Sequence, residues 1–295
     1  AINDVLSESN ISTKHAALSL QSTASLIFVV QLPGNIKESQ YETVVPTEAR
    51  KYIPVPLAEV SLDWWVIPEK EVYGEESKVT TAKTVDVLVA VVRNEVLDKY
   101  SQVNNLLNKF SSPAYEIETF SAIRGSFKRE LAPVLLIDSG ASGTRISVVE
   151  HGVVRKFHVV NRGAAYLTNS IAKSLEIGFD EAELLKKEVG LDKTHEKQEV
   201  YNIIEAGTNF VFSEIQKVIF DYEQEYKKPI RKIMMIGGGS LLRNYKESIA
   251  ERYGILTEYA DPFDKAVSPD FLEAVLDTAG PEFAVSIGLA LQGLE

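Results

Sequence analysis

The sequence predicts an α/β fold that carries an inserted α+β unit, and three observations support this class. An apolar run ends in Asp138 and passes at once into a turn of small residues, 139–144. A second apolar run, 231–236, passes into three successive glycines, 237–239. Across residues 131–295 the patterns read as three strands, several helices, and then strand–helix–strand–helix, an alternation typical of α/β folds.

Strands are predicted where apolar residues alternate with polar ones or form short continuous runs. Within 60–67, Leu62, Trp64 and Val66 point to one side of the chain, so this strand should be half-buried. The predicted strands, in chain order, are 13–20, 26–32, 60–67, 85–92, 117–120, 135–138, 146–149, 153–160, 231–236 and 256–259.

Helices are predicted where apolar residues recur every three or four positions. Pro46 should kink the second helix or start it afresh, and Pro281 should open the last one. The polar residues 68–84 predict a mobile hairpin loop. The predicted helices are 1–10, 37–52, 95–110, 121–129, 165–175, 181–189, 193–226 with one apolar face from Val211 to Tyr226, 240–253, and a helix that begins at Pro281.

The turn after Asp138 is suited to bind an anion together with a cation. Its small side chains let backbone N–H groups face an approaching anion, and Asp138 stands where a carboxylate would hold the cation of a metal–phosphate pair. An ordinary β-hairpin with a glycine-rich turn is the alternative. The candidate binding residues of this turn are Asp138, Gly140, Ala141, Ser142, Gly143 and Thr144.

The second glycine cluster favours a ligand site over a hairpin. Three glycines in a row are costly to order, so packing alone explains them poorly. A backbone that lies flat against a ligand explains them better, with the N-terminus of the next helix facing that ligand. Ser240 is the expected N-cap of this helix. The candidate residues here are Gly237, Gly238, Gly239 and Ser240.

Both clusters resemble motifs of the actin/Hsp70/sugar-kinase ATPase superfamily. The pattern Asp138-x-Gly140-x-x-x-Thr144 is similar to its second phosphate motif, and the run from Gly237 to Leu242 is similar to its adenosine motif. Within the superfamily, the chain resembles the FtsA-like family of type IV pilus assembly protein PilM. The further stretches that carry this resemblance are 48–56 (EARKYIPVP), 60–64 (VSLDW), 167–168, 181–186, 261–263 and 283–291.

The resemblance implies an actin-like ATPase fold of the FtsA/PilM type, with an inserted α+β subdomain and an incomplete first large subdomain. The implied parts are a remnant of the first large subdomain at 1–21 and 113–130, the inserted subdomain at 22–112, a second large subdomain at 131–165 and 230–295, and a helical small lobe at 166–229.

The resemblance also implies the cofactors ATP and Mg²⁺. Asp138 is expected to hold Mg²⁺ through water, while the turn amides and Thr144 contact phosphate. Gly163, which follows the three central strands, is a further expected nucleotide contact. Glu183 and Lys186 lie one helical turn apart, so both can reach one ligand, and the resemblance implies contacts with ribose and base. A solvated helix face is the alternative for this pair.

The sequence departs from the family pattern at its start. The first phosphate loop of the superfamily, an Asp-x-Gly turn between two strands, has no counterpart before residue 138. Residues 1–10 resemble the helix that follows those strands. We therefore expect the native protein to contain about fifty further N-terminal residues with this loop, and a natural divergent form that lacks the loop is the alternative. Without them, the first large subdomain has an open edge that favours self-association.

Two function classes remain open. The first is a nucleotide-binding assembly protein whose conformation is read by partner proteins. The second is an FtsA-like cell-division scaffold, or another actin-like scaffold, with a vestigial nucleotide cleft. A small-molecule kinase is a weaker third class, because no second acid is evident as a base for a substrate hydroxyl. The protein is at most a weak ATPase on this basis.

The implied partner is a PilN-like inner-membrane protein. The resemblance places its N-terminal cytoplasmic peptide in a groove between the first large subdomain and the inserted one, near Trp64, Trp65 and residues 52–56. Core packing is the alternative for these aromatic residues, and for Trp64 it is the favoured one. The implied location is the cytoplasm, peripheral to the inner membrane, and the implied process is pilus assembly and twitching motility.

Composition restricts the partners further. The net charge is −11 and the pI is about 5.1, which argue against a general nucleic-acid or anionic-membrane surface. The chain has no cysteine, and its four histidines lack metal-ligand spacing. No apolar run approaches transmembrane length by inspection, so no direct membrane insertion is expected.

Overall fold

The computed structural model describes residues 2–68, 84–107, 110, 114–128, 130 and 132–294. The loop predicted at 68–84 lies outside these residues except at its two ends. The chain divides into two compact units, Ala1–Arg124 with Val285–Glu295, and Gly125–Ala284. The four-part division implied by the resemblance stays a prediction.

The first unit contains a three-stranded sheet and a separate two-stranded one. Its elements are α1 (Ile2–Glu8), β1 (Ala17–Leu20), β2 (Ser25–Pro33), α2 (Tyr41–Ala49), β3 (Val60–Val66), β4 (Thr84–Arg93), α3 (Asn94–Leu107), β5 (Ala114–Ile117) and α4 (Glu118–Ser126), whose end belongs to the second unit.

In the three-stranded sheet, β4 pairs antiparallel with β2 on one side and with β3 on the other. Alternate strand residues face α2, because successive side chains of a strand point to opposite faces. The predicted alternation in β3 is confirmed: Leu62, Trp64 and Val66 pack against the core, and Trp65 is exposed. The buried core of this sheet consists of Val30, Leu32, Val45, Ala49, Ile53, Val87, Val89 and Val91.

The second unit contains a five-stranded mixed sheet, whose strands in order across the sheet are Leu256–Tyr259, Lys232–Ile236, Val134–Ser139, Thr144–Glu150 and Val153–Val160. Its elements are β6 (Val134–Ser139), β7 (Thr144–Glu150), β8 (Val153–Val160), α5 (Ala164–Leu175), α6 (Phe179–Val189), α7 (Gln198–Tyr226), β9 (Lys232–Ile236), α8 (Tyr245–Tyr253), β10 (Leu256–Tyr259) and α9 (Glu273–Gln292), whose end belongs to the first unit.

The arrangement of β6 and β9 positions the two glycine clusters. These strands are parallel neighbours, so their carboxyl ends lie at the same edge of the sheet. Both are apolar and buried, which fits central strands covered on both faces. The turn after β6 and the turn after β9 therefore meet.

The predicted apolar face of the long helix is confirmed. In α7, residues Val211, Ile215, Val218 and Tyr222 are buried at helical spacing. The predicted start at 193 is wrong, since α7 begins at Gln198. The reason is local: a carboxylate oxygen of Asp192 accepts from the backbone N–H and the hydroxyl of Thr194, which forms a turn and not a helix.

Several predicted boundaries in the first unit are also wrong. β1 is confined to Ala17–Leu20, because only these residues pair with β5. The strand predicted at 117–120 is β5 at Ala114–Ile117, and the helix predicted from 121 begins at Glu118, an acid that suits a first helical turn. The helix predicted at 37–52 is a 3₁₀ turn followed by α2, which carries Pro46 inside it.

The last helix begins before Pro281. α9 starts at Glu273 and carries Pro281 inside it. With its preceding turn, the stretch Asp270–Gln292 is the one helical segment among the described residues that is long and apolar enough to cross a membrane. This result rests on the mean hydropathy of a window that admits up to two charged residues, so it does not contradict the expectation on uninterrupted apolar runs. These criteria alone are weak, because core helices of water-soluble proteins also meet them.

Candidate functional site

A cavity of about 720 Å³ lies in the second unit. Its wall includes parts of both glycine clusters, the first turn of α5, one face of α6, part of α7 and the segment before α8. The predicted site residues in this wall are Ala141, Thr144, Gly163, Glu183, Lys186, Gly238 and Gly239. The predicted residues Asp138, Gly140, Ser142, Gly143, Gly237 and Ser240 belong to the same two turns but do not line the cavity.

The turn after β6 is held closed by backbone hydrogen bonds. The N–H of Gly140 donates to the carbonyl of Gly143 at 3.0 Å. The first amides of α5 donate to the same turn: Ala164 to Gly140 O and Ala165 to Ala141 O, each at 3.0 Å. The N–H of Gly140 is thus used inside the turn. In the part of the chain that the structure describes, the amides of the exposed residues Ala141 and Ser142 have no protein acceptor, so these are the amides that can meet an anion.

Gly163 is required by this close approach. A Cβ on Gly163 would lie 2.4 Å from the carbonyl oxygen of Gly140 and 2.5 Å from that of Ala141. Thr144 stabilises the same junction, because its buried hydroxyl donates to the carbonyl of Arg162 at 3.0 Å. The contact predicted between Thr144 and phosphate would have to compete with this hydrogen bond.

The second glycine cluster packs directly on the first. Gly237 has φ +82°, and a Cβ there would lie 2.5 Å from the carbonyl oxygen of Ser139 and 2.6 Å from Oδ1 of Asp138. A Cβ on Gly239 would lie 2.7 Å from Oγ of Ser139. Packing therefore explains Gly237 and Gly239, whereas Gly238 lies in the cavity wall next to Glu282.

Ser240 is not the N-cap of a helix. It lies in a 3₁₀ turn, Gly238–Leu241, and its hydroxyl donates to the carbonyl of Gly237 at 2.6 Å. α8 begins only at Tyr245, after Asn244 in the left-handed conformation. The prediction failed because a 3₁₀ turn and a left-handed residue separate the glycines from the helix.

Asp138 is paired with an arginine that the sequence reading missed. Nη1 of Arg145 lies 3.9 Å from Oδ2 of Asp138, and both side chains are largely buried. The two residues are directly opposite each other in the β6–β7 register. The sequence signal for this pair is the spacing of residues 138 and 145 around the turn, which places them opposite each other in a hairpin. A comparison of motifs does not take this spacing into account.

Glu183 and Lys186 lie together in the cavity wall. Lys186 is 5% exposed, so the alternative of a solvated face is wrong for it. Its ammonium group donates to Glu183 Oε2 at 2.6 Å, to Thr168 Oγ1 at 3.0 Å and to Ala164 O at 3.3 Å. These three acceptors match the three N–H donors of an ammonium group, so Lys186 positions Glu183.

The carboxyl group of Glu183 is held in its ionised form. Partial burial raises its pKa, but the hydrogen bonds from Lys186 and Thr168, with the charges of Lys186 and Lys187, lower it further than burial raises it. The net result is a pKa below the ordinary value of a glutamate. Glu183 therefore presents a stable hydrogen-bond acceptor at the cavity.

Arginine side chains that the sequence analysis did not single out complete the wall. The guanidinium carbon of Arg162 lies 3.9 Å from the ring centre of Phe210 and 4.8 Å from that of Tyr166. Arg243 donates to Glu188 O at 3.0 Å and forms an ion pair with Asp192 at 2.8 Å. The two contacts of Arg243 join the segment after β9 to the end of α6.

A metal has little support from the described side chains. They contain no group of three or more His, Cys, Asp or Glu residues that would hold a metal ion. A Mg²⁺ ion needs fewer protein ligands than this, usually one or two carboxylates plus phosphate oxygens. Its expected ligand Asp138, however, lies outside the cavity wall and beside Arg145.

Comparison with known proteins gives the family. The model of the family described as type IV pilus assembly protein PilM matches residues 1–294. The chain belongs to the PilM family. The chain is also similar to the cell division protein FtsA of Bacillus subtilis (strain 168), with 27% identity over 194 residues, 61% of this chain. That match spans only 43% of the length of FtsA.

Solved structures show the same fold. A chain from a PilM–PilN type IV pilus biogenesis complex aligns with 100% of this chain, and the aligned part is 84% of that other chain. The TM-score is 0.82 and the sequence identity is 24%. The structure of MreB5 of Spiroplasma citri bound to AMPPNP aligns with 68% of this chain, and the aligned part is 64% of the MreB5 chain. The TM-score is 0.53 and the sequence identity is 16%. The predicted actin-like fold of the FtsA/PilM type is confirmed.

Proposed function

We propose that this protein is an ATP-binding component of the type IV pilus assembly machinery at the inner membrane. The observation that carries the proposal is that one cavity is lined both by the glycine-rich turns and by Glu183. Its volume of about 720 Å³ lies within the range of cofactor sites.

The charge of the cavity wall suits an anionic ligand. Although the chain as a whole is acidic, four basic side chains line the cavity against two acidic ones. The amide of Ala141, which lies in the cavity wall and has no acceptor among the described residues, adds a donor for phosphate oxygens. The basic residues are Arg162, Lys186, Lys187 and Arg243, and the acidic ones are Glu183 and Glu282.

Glu183 is the proposed contact for the sugar hydroxyls. Its carboxylate is ionised and faces the cavity, whereas the donors of Lys186 already have protein acceptors. We therefore assign ligand contact to Glu183 and the positioning of Glu183 to Lys186. Hydrolysis should be slow at most, because Glu183, hydrogen-bonded to Lys186 and Thr168, is poorly placed to act as a base.

The proposed partner is a PilN-like inner-membrane protein, bound through its N-terminal cytoplasmic peptide. Family membership and the similarity to a PilM–PilN complex support this partner. The protein would then act in the cytoplasm, at the inner membrane through this partner, and its conformation with ATP would be read by other proteins of the assembly machinery. Self-association is a further part of the proposal, to be checked by mass measurement in solution.

Calorimetry with ATP tests the nucleotide site. We expect saturable binding by the wild type and about tenfold weaker binding by Glu183→Gln, since a hydrogen bond to a charged group contributes about 1.5 kcal/mol. The glutamine still accepts from Lys186, so the fold should persist. Glu181→Gln, on the exposed side of α6, is the matched control and should bind as the wild type does. Absence of ATP binding by the wild type would leave the scaffold with a vestigial cleft as the better function.

A further inference from the structure

We propose that Arg145 is the permanent counter-ion of Asp138, so that ATP binding by this protein does not depend on a divalent cation. The inference rests on the proposed nucleotide site and replaces the Mg²⁺ contact expected for Asp138. It assigns a role to a residue outside the cavity wall.

The strand register brings the two charges together. Asp138 near the end of β6 is directly opposite Arg145 near the start of β7. Side chains of directly opposed residues lie on the same face of the sheet within interaction distance. Nη1 of Arg145 lies 3.9 Å from Oδ2 of Asp138, which joins the two groups as an ion pair.

Burial keeps the guanidinium group in place. The side chains of Arg145 and Asp138 are 10% and 15% exposed, and charges that leave water to this extent require an opposite charge nearby. Nη1 of Arg145 also donates to the carbonyl of Gly143 at 3.4 Å. The arginine is thus anchored to the turn as well as to the carboxylate.

Gly140 fits this arrangement. A Cβ at this position would lie 2.7 Å from Nη1 of Arg145, closer than side-chain carbons tolerate. The glycine of the Asp-x-Gly pattern therefore makes room for the guanidinium group under the turn. The sequence alone suggested that this glycine lets a phosphate approach the backbone. In the structure, its N–H donates to the carbonyl of Gly143 instead.

The arrangement does not fit a metal held by Asp138. A carboxylate that already has a positive partner attracts a second cation less strongly, and the two cations repel each other across a poorly solvated site. Asp138 also does not line the cavity in which ATP would lie. Phosphate charge would be balanced by the cavity's basic side chains and by exposed amides.

Calorimetry of ATP binding in Mg²⁺ and in EDTA tests the inference. The wild-type dissociation constant should differ less than threefold between the two buffers. Arg145→Gln removes the counter-ion and should create at least a tenfold preference for Mg²⁺. Arg231→Gln, at an exposed arginine of the same unit, is the control and should behave as the wild type does.

Manganese alone gives a second measurement that needs no nucleotide. Water-proton relaxation should show no Mn²⁺ bound to the wild type and should show Mn²⁺ bound to Arg145→Gln. A wild type that binds ATP at least tenfold more tightly in Mg²⁺, or that binds Mn²⁺ in a manner lost in Asp138→Asn, would overturn the inference even if Arg145→Gln did not fold. Absence of ATP binding in both buffers would instead overturn the proposed function, and the manganese result would still decide the role of Arg145.

Discussion

The Nζ atom of Lys186 lies 2.6 Å from Oε2 of Glu183, so that two opposite charges one turn apart on α6 meet in the wall of the cavity. The lysine is the more deeply buried of the two, with 6% of its side chain exposed against 28% for the glutamate. This difference separates their roles, because the lysine faces protein acceptors and the glutamate faces the cavity.

Removal of this lysine should destabilise the second unit. Lys186→Met leaves the carboxylate of Glu183 without its main donor, which should cost about 2 kcal/mol and lower the melting temperature by about 4–8 °C. Lys187→Met is the control, since its side chain is 71% exposed and its Nζ atom lies 3.7 Å from Oε1 of Glu183. That variant should stay within about 0.5 kcal/mol of the wild type. Thermal unfolding followed by circular dichroism measures both, and equal melting temperatures would contradict the buried role.

The contribution of Glu183 to stability should depend on pH. Because the folded state lowers its pKa, the contribution is complete above the ordinary pKa of about 4.3 and is lost as the pH falls through the lower, folded value. Denaturant unfolding of the wild type and of Glu183→Gln should therefore show a stability difference at pH 7 that shrinks in acid. A difference that stays constant down to pH 3 would contradict this assignment.

Gly163 should be intolerant of a side chain. Gly163→Ala places a methyl group 2.4 Å from a carbonyl oxygen of the turn, which should cost about 1–3 kcal/mol by overpacking and weaken ATP binding with it. Gly178→Ala is a matched control, because Gly178 also precedes a helix in extended backbone and its Cβ would meet nothing within 4 Å. Urea unfolding and calorimetry on both variants check the prediction. Similar losses in the two would show that helix propensity, and not the turn contact, is responsible.

The sequence predicted the fold better than it predicted the site. Periodicity was sufficient for β3 and for the apolar face of α7, because each depends on local spacing that one buried face imposes. The pairing of Asp138 with Arg145 depends on register across a turn, and a motif comparison does not read register. The three acceptors around Lys186 come from two helices, which only tertiary packing brings together.

Arg243 should slow the release of nucleotide. It joins the segment after β9 to the end of α6 through Glu188 and Asp192, and it also lines the cavity. Loss of about one hydrogen bond, roughly 1 kcal/mol, should speed dissociation about fivefold in Arg243→Ala. Lys246→Ala, on α8 and outside the cavity wall, is the control. Stopped-flow displacement of a fluorescent ATP analogue measures the rates, and equal rates would remove Arg243 from the site.

Trp65 should report the binding of the partner's N-terminal peptide. The chain contains two tryptophans; Trp64 packs against the sheet core, whereas Trp65 is 46% exposed. Both line a shallow hollow of the first unit with Glu38 and Glu42, so the wall combines aromatic surface with negative charge. Such a surface favours a peptide with apolar and basic side chains.

A fluorescence titration with the PilN-like peptide tests this surface. Trp65→Phe should remove most of the signal change while Trp64→Phe keeps it, which assigns the signal to one residue. Trp65→Ala should weaken binding about thirtyfold, as expected for an interface anchor that contributes about 2 kcal/mol. Leu106→Ala, at a side chain of the first unit that is 86% exposed, is the control and should bind normally. Because the cavity that we propose for ATP lies in the second unit, we expect the affinity for the peptide to be the same with and without ATP. A flat titration up to high micromolar peptide would exclude this surface as the docking site.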